Sequence, residues 1–203
     1  DESESSPRWS PDGRQLAFLS SRQGAKGSQI WLLNSVGGEA ERISDVKGGV
    51  SSLAWAPDGR RLAIVVTDPD PDAAADGAVA KPKPIVVDRY HFKQDGQGYL
   101  GKLHAHLYLF DLATRKAEQV TSGNADDGAP AWSPDGKWLA FVSQRELDAE
   151  RSGNNDVYVL EARAGATPRR LTSFQGSDGG PLAWSPDGSV LAYRQGPEPK
   201  YSA

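Results

Sequence analysis

A five-residue string recurs four times and fixes most of what this chain can become. It reads Trp9-Ser10-Pro11-Asp12-Gly13, Trp55-Ala56-Pro57-Asp58-Gly59, Trp132-Ser133-Pro134-Asp135-Gly136 and Trp184-Ser185-Pro186-Asp187-Gly188. Proline presets φ for the second position of a type I turn. Aspartate tolerates the conformation that follows, and glycine takes the left-handed one that closes a bulged hairpin. Soon after each glycine comes Leu-Ala and a further apolar or aromatic residue: Leu16-Ala17-Phe18, Leu62-Ala63-Ile64, Leu139-Ala140-Phe141 and Leu191-Ala192-Tyr193. Each copy therefore predicts a hairpin, with one strand ending at the tryptophan and the next starting at the leucine.

Two further strands are predicted in each complete unit. The third reads Gln29-Ile30-Trp31-Leu32-Leu33, His106-Leu107-Tyr108-Leu109-Phe110 and Asp156-Val157-Tyr158-Val159-Leu160, runs of apolar and aromatic residues bounded by polar ones. The fourth reads Glu41-Arg42-Ile43-Ser44, Glu118-Gln119-Val120-Thr121 and Arg169-Arg170-Leu171-Thr172. It is more polar, as an outer edge strand should be. Repeated four-stranded antiparallel units of about 40 to 50 residues are the signature of a β-propeller blade. A solenoid of β-turns is the competing architecture, but its repeats are shorter.

The predicted fold class is thus all-β, a propeller of four-stranded antiparallel blades. Blade one is expected at about 6–45, blade two at about 50–121 with an insertion over 68–103, blade three at about 129–173, and the start of blade four at about 181–203. Propellers close with about four to eight blades. Three blades plus a hairpin form an open arc, so this chain is expected to be a piece of a longer protein or to assemble with a complementary piece. The absence of methionine points the same way.

Composition narrows the function. Glycine (22) and proline (14) are spread along the chain, which suits many tight turns. The net charge of −4 comes with no basic stripe, so nucleic acid is not an expected partner. No apolar run approaches the roughly 20 residues of a membrane-spanning helix, and the start, Asp1 to Ser6, has no cleavable-signal pattern. With no cysteine, disulfides and thiolate metal sites are excluded.

The pentapeptide followed by Leu-Ala-Phe is similar to the repeat shared by the propellers of prolyl oligopeptidase-type serine peptidases and by the periplasmic propeller of the Tol system. The insertion separates the two. Its second half, Pro84-Ile85-Val86-Val87-Asp88-Arg89-Tyr90-His91-Phe92-Lys93-Gln94-Asp95-Gly96-Gln97-Gly98-Tyr99-Leu100, resembles the extended hairpin in blade two of the acylaminoacyl-peptidase and dipeptidyl-peptidase branch. Tol-type blades are compact. The resemblance implies the N-terminal propeller of a serine peptidase, covering an α/β-hydrolase domain that lies downstream and carries the Ser, Asp and His. It implies that the propeller admits short or N-blocked peptides and excludes folded proteins. It also implies a parent that forms homo-oligomers and resides in the cytoplasm. The alternative is a non-enzymatic, protein-binding propeller in the periplasm.

The chain itself shows no catalytic apparatus. No Gly-x-Ser-x-Gly nucleophile elbow, Walker A loop or His-Glu-x-x-His helix occurs, and no cofactor or metal is expected. His104 and His106 alternate toward one face, but a metal needs a further ligand, so they are read as polar residues of the extended hairpin. The run Asp68-Pro69-Asp70-Pro71-Asp72 lacks the glycine and glutamate of a calcium loop, with Ala73 and Val79 in their places, and reads as a solvated acidic loop. The pentapeptide tryptophans recur at one blade position, which assigns them to packing between blades.

Loop geometry gives the site candidates. Turns between strands one and two lie on one face of a propeller, and loops between strands two and three on the other. That second face carries Arg22, Arg89, His91 and the segment Gln144-Arg145-Glu146-Leu147-Asp148. Arginine can fork onto a peptide carboxylate or carbonyl, and glutamate can capture an amine. Arg89, Arg145 and Glu146 are therefore the candidates for substrate gating.

Overall fold

In the computed structural model the described residues are 3–22, 27–69, 87, 92–94, 98–99, 103–146 and 153–197. They contain strands and turns and no helix. Blade one is an antiparallel sheet in the order β1 (Glu4–Trp9), β2 (Gln15–Ser20), β3 (Gln29–Asn34) and β4 (Glu41–Arg42). Blade two uses β5 (Val50–Trp55), β6 (Arg61–Thr67), β9 (Ala105–Asp111) and β10 (Lys116–Gln119). The short hairpin β7 (Lys93–Gln94) and β8 (Gly98–Tyr99) lies in its insertion. Blade three runs β11 (Asp127–Trp132), β12 (Trp138–Ser143), β13 (Asp156–Glu161) and β14 (Arg169–Arg170). A final hairpin pairs β15 (Asp178–Trp184) with β16 (Leu191–Gln195). The sheets form an incomplete propeller that does not close.

The turn chemistry is what the pentapeptide predicts, with an added hydrogen-bond cage. Ser10 Oγ donates to Asp12 Oδ1 at 2.6 Å and accepts the Gln15 amide at 2.9 Å. Gly13, at φ 68°, donates its amide to the Ser10 carbonyl. Ser133 and Asp135 repeat this arrangement, as do Ser185 and Asp187. Each aspartate accepts a serine hydroxyl and a backbone amide. Those bonds favour the anion and hold Asp12, Asp135 and Asp187 below the usual carboxylate range, Asp187 at about 2. In blade two Ala56 removes the hydroxyl, and Asp58 keeps only the Arg60 amide among the bonds of this cage.

The core lies between blades. One cluster joins Ala17, Leu19 and Ile30 of blade one to Leu53, Leu62, Ile64 and Val66 of blade two. A second joins Ala63, Val65 and Leu107 of blade two to Leu139, Phe141 and Tyr158 of blade three. Alternation along β6 sends Leu62, Ile64 and Val66 one way and Ala63 and Val65 the other. A blade packed on both faces thus needs an apolar run where a one-faced sheet would alternate.

The tryptophans lock this stack in register. Trp55 Nε1 donates to the Arg8 carbonyl at 3.0 Å, Trp132 Nε1 to Ala54 at 3.1 Å, and Trp184 Nε1 to Ala131 at 3.1 Å. In each case the acceptor immediately precedes the tryptophan of the preceding blade. Among the described residues no blade precedes Trp9, and it is 58% exposed.

The outer strands differ from expectation. β4 and β14 contain two residues each, and β10 starts two residues before Glu118. Beyond them, side chains take over the pairing: Thr121 Oγ1 accepts the Leu107 amide and Thr172 Oγ1 the Val157 amide. Register shifts within β1, β5, β11 and β15 mark bulges near the same point of each inner strand. Pro7, Pro130 and Pro181 sit in three of these, where no ladder amide is required.

Candidate functional site

The end of the blades opposite the pentapeptide turns carries the polar chemistry. Asp127 opens β11 with its side chain wholly buried. Its Oδ1 accepts the Ser143 hydroxyl at 2.6 Å, and its Oδ2 lies 2.6 Å from Arg145 Nη2 and 3.4 Å from His106 Nδ1. His106 Nε2 stands 3.6 Å from Asp68 Oδ2, and His104 Nδ1 3.4 Å from Asp126 Oδ1. Burial alone would raise the Asp127 pKa. The bonds from His106, Ser143 and Thr121 and the charge of Arg145 outweigh it and hold the carboxyl below its ordinary value.

A second network braces blade three. Arg170 reaches Asp156 Oδ2 at 2.8 Å and Glu146 Oε2 at 3.0 Å, and its Nε donates to the Thr172 carbonyl. Tyr158 donates its hydroxyl to Glu146 Oε1 at 3.4 Å. Burial, then the charges of Glu146 and Asp156, push the Tyr158 phenol up to about 12.

Two of the three gating candidates therefore sit together, inside networks of this chain. Arg145 pairs with Asp127, donates to the Ser122 carbonyl and covers the Phe141 ring at 5.8 Å. Glu146, exposed, caps Tyr158 and Arg170. Arg89 and His91 lie outside the described residues, as do Leu147 and Asp148. Arg22 pairs with Glu4 at 2.7 Å. His104 and His106, expected as polar residues of the extended hairpin, are buried in the seam between blades two and three, His106 within β9, where the Asp126-Asp127 pair receives them. Asp68 belongs to this seam, not to a solvated loop, because its carboxylate accepts the His104 amide. Asp70 and Asp72 lie outside the described residues.

Sequence reasoning missed a cleft of about 560 Å³ between blades three and four. Its lining includes Gly128, Ala129, Asn155, Gly179, Gly180 and Arg194. Gly128 and Gly179 leave backbone open to an approaching chain, Gly180 packs against Ala129, and Arg194 is exposed. The sequence signal was the Asp-Gly start shared by β11 and β15. Among the described residues no three His, Asp or Glu side chains are grouped to hold a metal ion, and no histidine hydrogen-bonds a hydroxyl.

Known proteins resemble this chain in sequence and fold. The family model described as PD40, TolB beta propeller domain, matches residues 99–198. An uncharacterized peptidase of Bacillus subtilis, YuxL, is 35% identical over 157 residues, covering 76% of this chain and 24% of that protein. Dipeptidyl-peptidase 5 of Porphyromonas endodontalis is 24% identical over 204 residues, covering 93% of this chain and 29% of that protein. The chain thus spans about a quarter of these relatives. The acylaminoacyl peptidase of Pyrococcus horikoshii has the same fold over 98% of this chain and 29% of its own, at a TM-score of 0.69 and 21% identity.

Proposed function

We propose that this chain, which fits the N-terminal propeller of a prolyl oligopeptidase-family peptidase, gates the passage of short or N-blocked peptides to a catalytic centre elsewhere in the parent protein. The observation that carries this reading is the 35% identity to a peptidase over three-quarters of the chain. The chemistry would be acyl transfer by a Ser-His-Asp triad in an α/β-hydrolase domain. The cleft between blades three and four supplies glycine-lined backbone and the Arg194 guanidinium, a fitting rest for an extended peptide. Arg89 is the gating arginine of the blade-two insertion. Arg145 and Glu146 are the gating candidates of blade three, positioned by Asp127 and Arg170.

The parent would act in the cytoplasm as a homo-oligomer. A fluorophosphonate probe on the complete gene product tests the reading: labelling of one serine, blocked by a short peptide substrate, is expected. Arg89→Gln and Arg194→Gln should each lower kcat/KM for short peptides at an unchanged melting temperature. A full-length product that takes no label, or two variants with unaltered kinetics, would remove this role. The second reading, a non-enzymatic periplasmic propeller that binds another protein, is favoured by the description of the matching family. It predicts no labelling.

A further inference from the structure

Blades one, three and four share a side-chain arrangement at the start of their inner strands, and blade four lacks one part of it. In blade one, Glu4 opens β1 opposite Ser20, and Arg22 stands two residues beyond that partner. The Arg22 guanidinium binds Glu4 at 2.7 Å and lies over the Trp31 and Phe18 rings at 4.5 and 5.3 Å. In blade three, Asp127 opens β11 opposite Ser143, and Arg145 again stands two residues beyond. It binds Asp127 at 2.6 Å and covers Phe141. Phe18 and Phe141 each follow a Leu-Ala pair.

Blade two drops the acid and the cation together. Val50 replaces the acid at the start of β5, and Asp68 stands where the arginine would be. Blade four keeps the acid and the ring. Asp178 opens β15 opposite Gln195, and Tyr193 follows Leu191-Ala192. The position two residues beyond Gln195 is Pro197.

The consequence is a carboxylate with no cation among the described residues. Asp178 is 0% exposed, and among the described residues neither side-chain oxygen has a hydrogen-bond partner. The counterparts of the groups that satisfy Asp127 do not help it. Asp156 replaces His106 and is itself an acid, held up by burial and in part by the charge of Asp178. Arg170 is engaged by Asp156 and Glu146. Arg194 follows Tyr193 directly, and alternation turns it to the other face of β16. A buried ionised carboxylate is costly unless a cation or hydrogen bonds meet it.

We propose that Asp178 and Tyr193 form a guanidinium site, completed by an arginine side chain from a part of the same protein outside residues 3–197. Arginine is the fitting cation because its planar fork meets a carboxylate edge while its face stacks on a ring. Asp178 also lines the cleft between blades three and four, but the site is read from stability and the gating role from peptide kinetics, so each can fail without the other.

Thermal unfolding of this chain tests the site. Asp178→Asn should raise the midpoint by about 3 °C or more, because an uncompensated charge is removed. Asp127→Asn, whose charge is compensated, should lower it. N-acetyl-arginine amide should raise the midpoint of the unaltered chain, and its neutral citrulline counterpart should not. Pro197→Arg should raise the midpoint and abolish the response to the arginine amide, while Arg194→Gln should leave that response intact. In the complete gene product the response should be lost, because the site is filled. A lowered midpoint for Asp178→Asn, or an equal arginine response in wild type and Asp178→Asn, would overturn the site. A persistent response in the complete product would overturn the internal source of the arginine.

Discussion

Replacing Arg145 with methionine separates a structural role from a role in substrate contact. The Asp127 side chain is wholly buried, and the Arg145 side chain is 20% exposed. Removing one partner of a fully buried pair costs about 3–5 kcal/mol. Two effects reduce this. Arg145 keeps part of its hydration in the folded state, and Asp127 retains Ser143 and His106. Losing the guanidinium over Phe141 adds about 0.5–1 kcal/mol. The net expectation is a loss of about 2–4 kcal/mol, read as a shift of the urea midpoint at constant slope by tryptophan fluorescence. A cycle with Asp127→Asn should return a coupling of at least about 1.5 kcal/mol. The sign with pH follows from Asp127, whose folded carboxyl lies below the unfolded value of about 3.9. Its stabilisation is complete above that value and is lost as pH falls through the folded value. The difference between wild type and Arg145→Met should therefore shrink in acid. A loss below about 0.5 kcal/mol at pH 7, or additivity with Asp127→Asn, would refute the compensated pair.

Other outcomes follow from the repeat. Trp132→Phe keeps a ring but deletes the bond to the Ala54 carbonyl, and should cost about 1–2 kcal/mol in urea unfolding. Ala56→Ser restores the hydroxyl that the other three turns possess, and should raise stability by about 0.5–1 kcal/mol in the same assay. Carbon-13 titration should find the Asp187 carboxyl half-protonated near pH 2 and the Tyr158 phenol near pH 12, with Asp187→Asn removing the first transition.

The hairpins, the four-strand units and the contact between blades were legible because each rests on local chemistry repeated along the chain. Pro-Asp-Gly dictates its turn wherever it stands, and tryptophans at one repeat position must meet equivalent neighbours. The polar seams were not legible. Arg145 and Glu146 look in sequence like free charges on a loop, and His106 like a polar strand residue. The β11–β12 register carries Arg145 to Asp127 within blade three, and only the stacking of one sheet on the next carries His106 to the same carboxylate. The bulges escaped notice as well, since period-two alternation does not reveal an extra residue.

By itself, then, the sequence determined the unit: its strands, its turns and the side chains that must face a neighbour. Tertiary structure decided which charges meet which. Backbone geometry is set within a few residues by φ, ψ and local hydrogen bonds. Electrostatic pairing depends on burial and on distances across a seam, and these exist only once the sheets are stacked. Asp127 and Asp178 read alike along the chain, and one is compensated while the other is not.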